Sequence, residues 1–114
     1  MNFDDMMKEL RTEYLESLPA KLNDLENSLN QEDVDCLRED FHKLKGTGKT
    51  YGFPEISELG EVVERLLTHR PQAYSQVVPN AIGILKDIHR ERSASREFDL
   101  SEDGRFTQIR SLSL

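Results

Sequence analysis

The chain has 114 residues, of which 32% are charged and 36% hydrophobic, and its formal net charge is −7. This length suits one domain, and the acidic balance argues against nucleic acid, whose phosphates need clustered Lys and Arg. No apolar run reaches the roughly 18 residues of a membrane span, and the acidic start MNFDDMMKEL is unlike a signal peptide. The single Cys36 excludes an internal disulfide and a Cys-based zinc site. We therefore expect no membrane association and a cytoplasmic location.

Apolar residues at helical spacing predict a long first helix. Pro19 interrupts this stripe, so we expect either one kinked helix or two consecutive helices. The stripe consists of Phe3, Met7, Leu10, Tyr14, Leu18, Leu22, Leu25 and Leu29.

Three more helices follow from the same spacing. Pro54 opens the third helix at a position where its missing N–H is tolerated. The segment Thr68–Pro71 ends that helix, and the fourth stripe fades near Arg92. The apolar positions are Val34, Leu37, Phe41, Leu44 and Gly48 in the second helix, Ile56, Leu59, Val63 and Leu66 in the third, and Tyr74, Val77, Ala81, Leu85 and Ile88 in the fourth.

Short connections between amphipathic helices predict an all-α, up-down-up-down four-helix bundle over residues 1–92. Residues 93–114 form a Ser-rich tail in which Asp103-Gly104 is a turn signal. This dipeptide suits a short hairpin, and a flexible linker or an extended segment lying on the bundle fits the tail equally well.

A small basic segment stands out in the acidic chain. Residues 1–40 contain twelve Asp or Glu and four Lys or Arg, whereas Phe41–Gly52 contains three lysines and no acid. Gly48-Lys49-Thr50 resembles the end of a nucleotide-binding phosphate loop, but that motif needs a Gly where Lys43 stands and a buried strand before it. The sequence has neither feature, so we reject nucleotide binding.

His42 lies on the solvent side of the second helix, because it is about 100° around the axis from the core residue Phe41. An ordinary surface histidine would fit this position. However, Gly46 lies one turn further on the same face, where a glycine costs about 1 kcal/mol relative to alanine. The missing side chain leaves the imidazole open to a partner, and Lys45 stands near enough to neutralise a phosphoryl group on the ring.

These residues resemble the signature of histidine-containing phosphotransfer (HPt) domains. That family has an exposed phospho-accepting His, a Leu two residues later, a Lys at three, a Gly at four and a Gly at the end of the helix. The resemblance covers roughly residues 3–90, and the matching positions are His42, Leu44, Lys45, Gly46, Gly52, Leu59 and Glu64.

The resemblance implies roles for individual side chains. His42 would be the phospho-acceptor, and Lys45 would help to neutralise the phosphoryl group. Glu64 matches an acid or amide that accepts a hydrogen bond from Nδ1–H, which leaves Nε2 as the nucleophile; a rim glutamate without this role is the alternative. Lys43 has no strict counterpart in the family, and we treat it as a docking charge; with Gly46 and Lys49 it forms the expected docking positions for a partner.

The implied function is that of a phosphocarrier in a two-component phosphorelay. His42 would receive phosphate from the aspartyl phosphate of one receiver domain, with a hybrid histidine kinase upstream, and pass it to the Asp of a response-regulator receiver. The chain would have no ATP site and no cofactor, since the receiver brings Mg²⁺. Two alternatives stay open: a docking module without phosphate turnover, and a module phosphorylated from ATP by a separate chemotaxis-type kinase domain.

The other two histidines are weaker candidates for a site. His69 lies in the turn before Arg70-Pro71, and His89 lies near the end of the last helix, where a cation suits the helix dipole. Neither has an acid at a spacing that supports metal binding, so we expect no metal site. The sequence does not identify the donor, the acceptor, the direction of phosphate flow or the oligomeric state.

Overall fold

The computed structural model describes residues 2–113, so the outer limits of the predicted domain and tail, Met1 and Leu114, lie outside it. The described chain is an all-helical bundle without strands, which confirms the all-α part of the predicted fold class. Two short 3₁₀ turns, Pro71–Ala73 and Leu100–Glu102, join longer helices. The helices are α1 (Phe3–Asn30), α2 (Val34–Thr50), α3 (Pro54–His69), α4 (Tyr74–Ser93) and α5 (Gly104–Leu112). No helix in residues 2–113 combines the length and hydropathy that a bilayer span requires.

Helix α1 runs without a break through Pro19. The alternative of two consecutive helices is therefore wrong. Proline removes one hydrogen bond from a helix interior, but burial of an apolar face supplies most of the stability of helices in proteins. Leu18 and Leu22, on either side of Pro19, are buried in the core and hold the helix together there.

Side chains at the helix starts fix where the elements begin. Asn2 accepts a hydrogen bond from the N–H of Asp5, and Asp33 accepts one from the N–H of Cys36. Each bond satisfies one of the orphan N–H groups that a helix N-terminus leaves. The Asn and Asp side chains therefore set the beginnings of α1 and α2.

Helices α2 and α3 approach each other closely because glycines lie between them. A Cβ at Gly60 would be 2.7 Å from both the carbonyl oxygen of Phe41 and the backbone nitrogen of Lys45. A Cβ at Gly48 would be 2.8 Å from the backbone nitrogen of Ser57. Any larger residue at these positions would push the helices apart. This close contact places the outward face of α2 beside that of α3.

The C-terminal segment differs from the sequence-based prediction. A hairpin at Asp103-Gly104 is wrong, because Asp103 accepts a hydrogen bond from the Arg105 N–H and caps helix α5 instead. Leu100, Phe106 and Ile109 are 3%, 1% and 1% exposed and belong to the main core. The segment thus packs on α3 and α4, although the domain boundary near residue 92 stays a prediction.

Ion pairs hold the start of α5 against α4. The Arg105 guanidinium lies 2.7 Å from Asp87 and 2.7 Å from Asp103. The hydrogen bond from Arg105 lowers the pKa of Asp103. A carboxyl whose pKa is lowered by folding stabilises the fold above its ordinary pKa. This stabilisation is lost as the pH falls through the lowered value.

Candidate functional site

His42 lies on the exposed face of α2, and its side chain is 64% exposed. Its Nδ1 is 2.8 Å from Oε1 of Glu64 on α3. A carboxylate only accepts hydrogen bonds, so Nδ1 carries the hydrogen in this contact and a neutral imidazole keeps its lone pair on Nε2. The two side chains reach each other because α2 and α3 are in close contact.

Glu64 connects His42 to Lys45. The Lys45 Nζ is 4.0 Å from Oε2 of Glu64, which is the carboxylate oxygen that does not face the ring. That oxygen is buried and has no hydrogen-bond partner within residues 2–113. At 4.0 Å the lysine and the carboxylate attract each other without a direct hydrogen bond. Lys45 is 45% exposed, so its ammonium is available to an anion near the ring.

Ser57 holds the turn of α2 that carries Lys45. Its hydroxyl donates to the Lys45 carbonyl at 2.8 Å and accepts from the Lys49 N–H. These two backbone groups are the pair that an undisturbed α-helix joins directly, four residues apart. A hydroxyl from α3 therefore links the α2 ladder to α3 one turn beyond His42.

Gly46 leaves open space next to His42. Apart from the neighbouring backbone of α2 itself, a Cβ placed at Gly46 would have no heavy atom within 4 Å, in contrast to Gly48 and Gly60. Packing inside the chain therefore does not require a glycine at this position. The open space adjoins the exposed face that carries the imidazole.

A shallow groove between α1 and α2 adjoins the site on its other side. Its volume is about 290 Å³, Leu25 and Leu44 form an apolar floor, and Lys43 lies at its edge. Burial raises the pKa of Asp40 and lowers the pKa of Lys21, two other residues of this groove.

The segment Gly48-Lys49-Thr50 is the last turn of α2 and not a loop after a strand. The Thr50 hydroxyl donates to the carbonyl of Gly46, as in an ordinary helix. The Lys49 side chain is exposed on the same helix as His42. A phosphate loop is not formed by this segment.

The sequence model of the Hpt domain matches residues 9–95, which include all of α2, α3 and α4 and most of α1. The chain belongs to the Hpt domain family. Hpt domains transfer phosphoryl groups on histidine in phosphorelays and interact with receiver domains of two-component systems. No curated protein and no solved structure is significantly similar to the chain.

This Hpt domain carries its remaining histidines away from Glu64. His69 is the last residue of α3 and is exposed, and His89 is half-buried on α4. Within residues 2–113 no group of three or more His, Cys, Asp and Glu side chains is arranged to hold a metal ion. Of the three histidines of the Hpt domain, His42 has the carboxylate contact described above.

Sequence reasoning missed two residues that shape the site of the Hpt domain. Gly60 allows α3 to approach the backbone of Phe41 and Lys45, and Ser57 bonds to that backbone. Both act on residues of the preceding helix, at least eight positions earlier in the chain, so periodicity within one helix does not reveal them. The position of Gly60 on the apolar face of α3, four residues after Ile56, was the signal that could have indicated a close helix–helix contact.

Proposed function

We propose that the chain is a phosphocarrier that accepts a phosphoryl group on Nε2 of His42 from a receiver aspartyl phosphate and passes it to another receiver Asp. The observation that carries the proposal is the 2.8 Å contact between Nδ1 of the exposed His42 and Glu64. This contact orients the ring and leaves the outer nitrogen free. Membership of the Hpt family supports the reaction class.

The proposed transfer balances without a further reactant. The Nε2 lone pair forms a bond to phosphorus, while the phosphorus–oxygen bond of the aspartyl phosphate breaks and its electrons leave with the carboxylate. The hydrogen on Nδ1 stays in place, and the positive charge that develops on the ring is offset by the Glu64 carboxylate. Lys45, which is close to Glu64, offsets the charge of the phosphoryl oxygens. The reverse sequence returns phosphate to a receiver.

The partner is proposed to dock over the exposed face of α2. Gly46 provides access to the ring, and the exposed Lys43 and Lys49 provide positive charge beside it. Receiver domains supply acidic residues and Mg²⁺ around their phosphorylated Asp, so these lysines complement the partner. We place this exchange in the cytoplasm, downstream of a hybrid histidine kinase and upstream of a response regulator.

The bundle that presents His42 is proposed to have an up-down-up-down order. Connections of three residues (31–33 and 51–53) and four residues (70–73) separate consecutive helices. Connections this short place neighbouring helices antiparallel. A bend at Pro19 is expected because its ring crowds the carbonyl of Leu15, one turn earlier in α1.

Incubation with a panel of phosphorylated receiver domains tests the proposed function. Label is expected on the chain without ATP, and it should be lost in acid and survive alkali, as a phosphoramidate does. A receiver that binds without transferring label would support the docking alternative. Label that forms only with ATP and a chemotaxis-type kinase domain would support the other alternative.

Replacing Glu64 with alanine is expected to slow phosphotransfer roughly tenfold, because a charge-assisted hydrogen bond to the ring is lost. The nucleophile itself remains, so transfer should not disappear. Glu64→Gln, which retains an oxygen acceptor without the charge, should give an intermediate rate. Single-turnover transfer from a phosphorylated receiver measures these rates.

Glu61→Ala is the matched control, because Glu61 is an exposed acid one turn earlier on the same helix. It should transfer at the unmodified rate. Equal transfer rates for Glu64→Ala and Glu61→Ala would mean that Glu64 is a glutamate at the rim of its helix with no role in phosphotransfer.

Substitutions of Gly46 test access to the His42 ring separately from the stability of helix α2. Gly46→Ala should stabilise the chain by up to about 1 kcal/mol, because the added methyl group meets no atom and alanine favours helix. Gly46→Gln should also preserve stability, but its longer side chain would stand where the aspartyl phosphate must come within roughly 3 Å of the ring. Transfer by Gly46→Gln is therefore expected to fall far below transfer by Gly46→Ala. Full transfer by both variants would remove the access role of this glycine.

A further inference from the structure

A second basic feature lies at one end of the bundle, away from the apolar groove beside His42. A cavity of about 430 Å³ is formed by α1, the end of α4 and the connection between α2 and α3. Four basic side chains line it, and no Asp or Glu does: the bases are Lys8, Arg11, Arg92 and Arg96. This concentration of positive charge is notable in a chain whose net charge is −7.

Two of the four bases are already compensated by carboxylates. Arg92 pairs with the buried Glu55 at 3.2 Å and donates to the carbonyl of Gly52 at 2.7 Å. Arg96 pairs with Glu91, and this hydrogen bond lowers the pKa of Glu91. These two pairs leave little positive charge for another ligand at Arg92 and Arg96.

Lys8 and Arg11 are not compensated in this way. Within residues 2–113 neither has a carboxylate oxygen within 4 Å of its side-chain nitrogens. They lie three residues apart on α1, which places them on neighbouring positions of one helix face. Two like charges at neighbouring positions of one helix face repel each other, and a bound anion would offset that repulsion. The cavity therefore has an excess of two positive charges.

The Arg11 side chain lies against the backbone of Gly52. A Cβ at Gly52 would be 2.8 Å from Cδ of Arg11, and the φ of Gly52 is +91°, a conformation that favours glycine. The half-buried Arg11 side chain thus lies against the connection between α2 and α3. A side chain that is already ordered loses less entropy when it binds a ligand.

We propose that this cavity binds a small phosphate-bearing dianion. At neutral pH a phosphate monoester carries a charge of about −1.5 to −2, which matches the excess of two. A guanidinium forms paired hydrogen bonds with phosphate oxygens, and an ammonium adds a compact positive charge. The volume lies in the range of about 300–1,000 Å³ that small-molecule sites occupy. A single carboxylate would neutralise only half of the excess.

The test is a titration of the whole ¹⁵N-labelled chain, followed by NMR, with inorganic phosphate and with glycerol 3-phosphate at constant ionic strength. Saturable shifts are expected at Gly52, Ser95 and the first turns of α1. Tighter binding of glycerol 3-phosphate would identify an ester as the preferred source of the phosphate, and equal binding would identify free phosphate as sufficient. Arg11→Gln should weaken binding about ten- to a hundred-fold, because a charge-assisted contact is lost.

Lys8→Gln provides a second variant at an exposed residue, whose effect does not depend on the packing of Arg11, and it should weaken binding several-fold. Arg65→Gln is the matched control, since Arg65 is exposed on α3 outside this cavity, and it should bind as the unmodified chain does. Equal shifts with chloride or acetate, equal weakening by Arg65→Gln, or shifts centred on His42 would overturn the proposal. Tighter binding of a glutamate-rich peptide at the same residues would also overturn it.

Discussion

His42→Gln is expected to abolish phosphotransfer to the chain and leave the fold intact. Glutamine has no nitrogen lone pair that attacks phosphorus, so the loss should be complete and not partial. The side chain of His42 is 64% exposed, and substitutions of exposed residues usually change stability by less than about 0.5 kcal/mol. Circular dichroism, thermal unfolding and label transfer from a phosphorylated receiver measure both parts on the same sample.

His69→Gln and His89→Gln are the controls for this result. Neither histidine has a hydrogen bond from a ring nitrogen to a carboxylate in residues 2–113. Both variants should accept label at the unmodified rate. Label on His42→Gln, or its loss from either control, would mean that the acceptor is assigned to the wrong residue.

Phe106→Ala is expected to lower the free energy of unfolding by about 3–5 kcal/mol. Phe106 is 1% exposed and packs in the same core as the first four helices. Removing a buried ring leaves a cavity that the surrounding helices fill only in part. Deleting residues 96–114 should have at least as large an effect, because Leu100 and Ile109 are lost as well. Chemical denaturation of the two variants measures the change.

Gln108→Ala is the control for α5, because Gln108 is exposed on the same helix. It should leave stability nearly unchanged. If the chain shortened to residue 95 unfolds at the same denaturant concentration as the full chain, α5 contributes nothing and the domain ends near residue 92. At temperatures where Phe106→Ala stays folded it should still accept phosphate, since His42, Lys45 and Glu64 lie on α2 and α3 and none of them lies on α5.

The first four helices were predictable because each has an apolar stripe that contributes to one core, although Phe3, the first position of the α1 stripe, is 68% exposed. Helix α5 was not, since it has nine residues and buries only Phe106 and Ile109. Its start, Asp103-Gly104, is also ambiguous. An aspartate before glycine forms a hairpin turn between strands, but it caps a helix when its carboxylate reaches the next N–H groups. Only packing against α3 and α4 decides between these outcomes.

The candidate site was predictable in part for a similar reason. The face of α2 that carries His42 and Gly46 follows from helical spacing within one segment. The distance between His42 and Glu64 depends on how closely α2 approaches α3, which Gly60 permits. The hydroxyl of Ser57 on the Lys45 carbonyl depends on the same approach. Contacts between helices require the tertiary structure, which no single amphipathic stripe contains.

The most direct test of the phosphocarrier proposal is ³¹P–¹⁵N correlation NMR on the phosphorylated chain with ¹⁵N-labelled histidine. The proposal predicts one phosphorus bonded to Nε2 of His42, with the hydrogen still on Nδ1 where Glu64 accepts it. Phosphorus on Nδ1 of His42, on His69 or His89, or on an oxygen would contradict it.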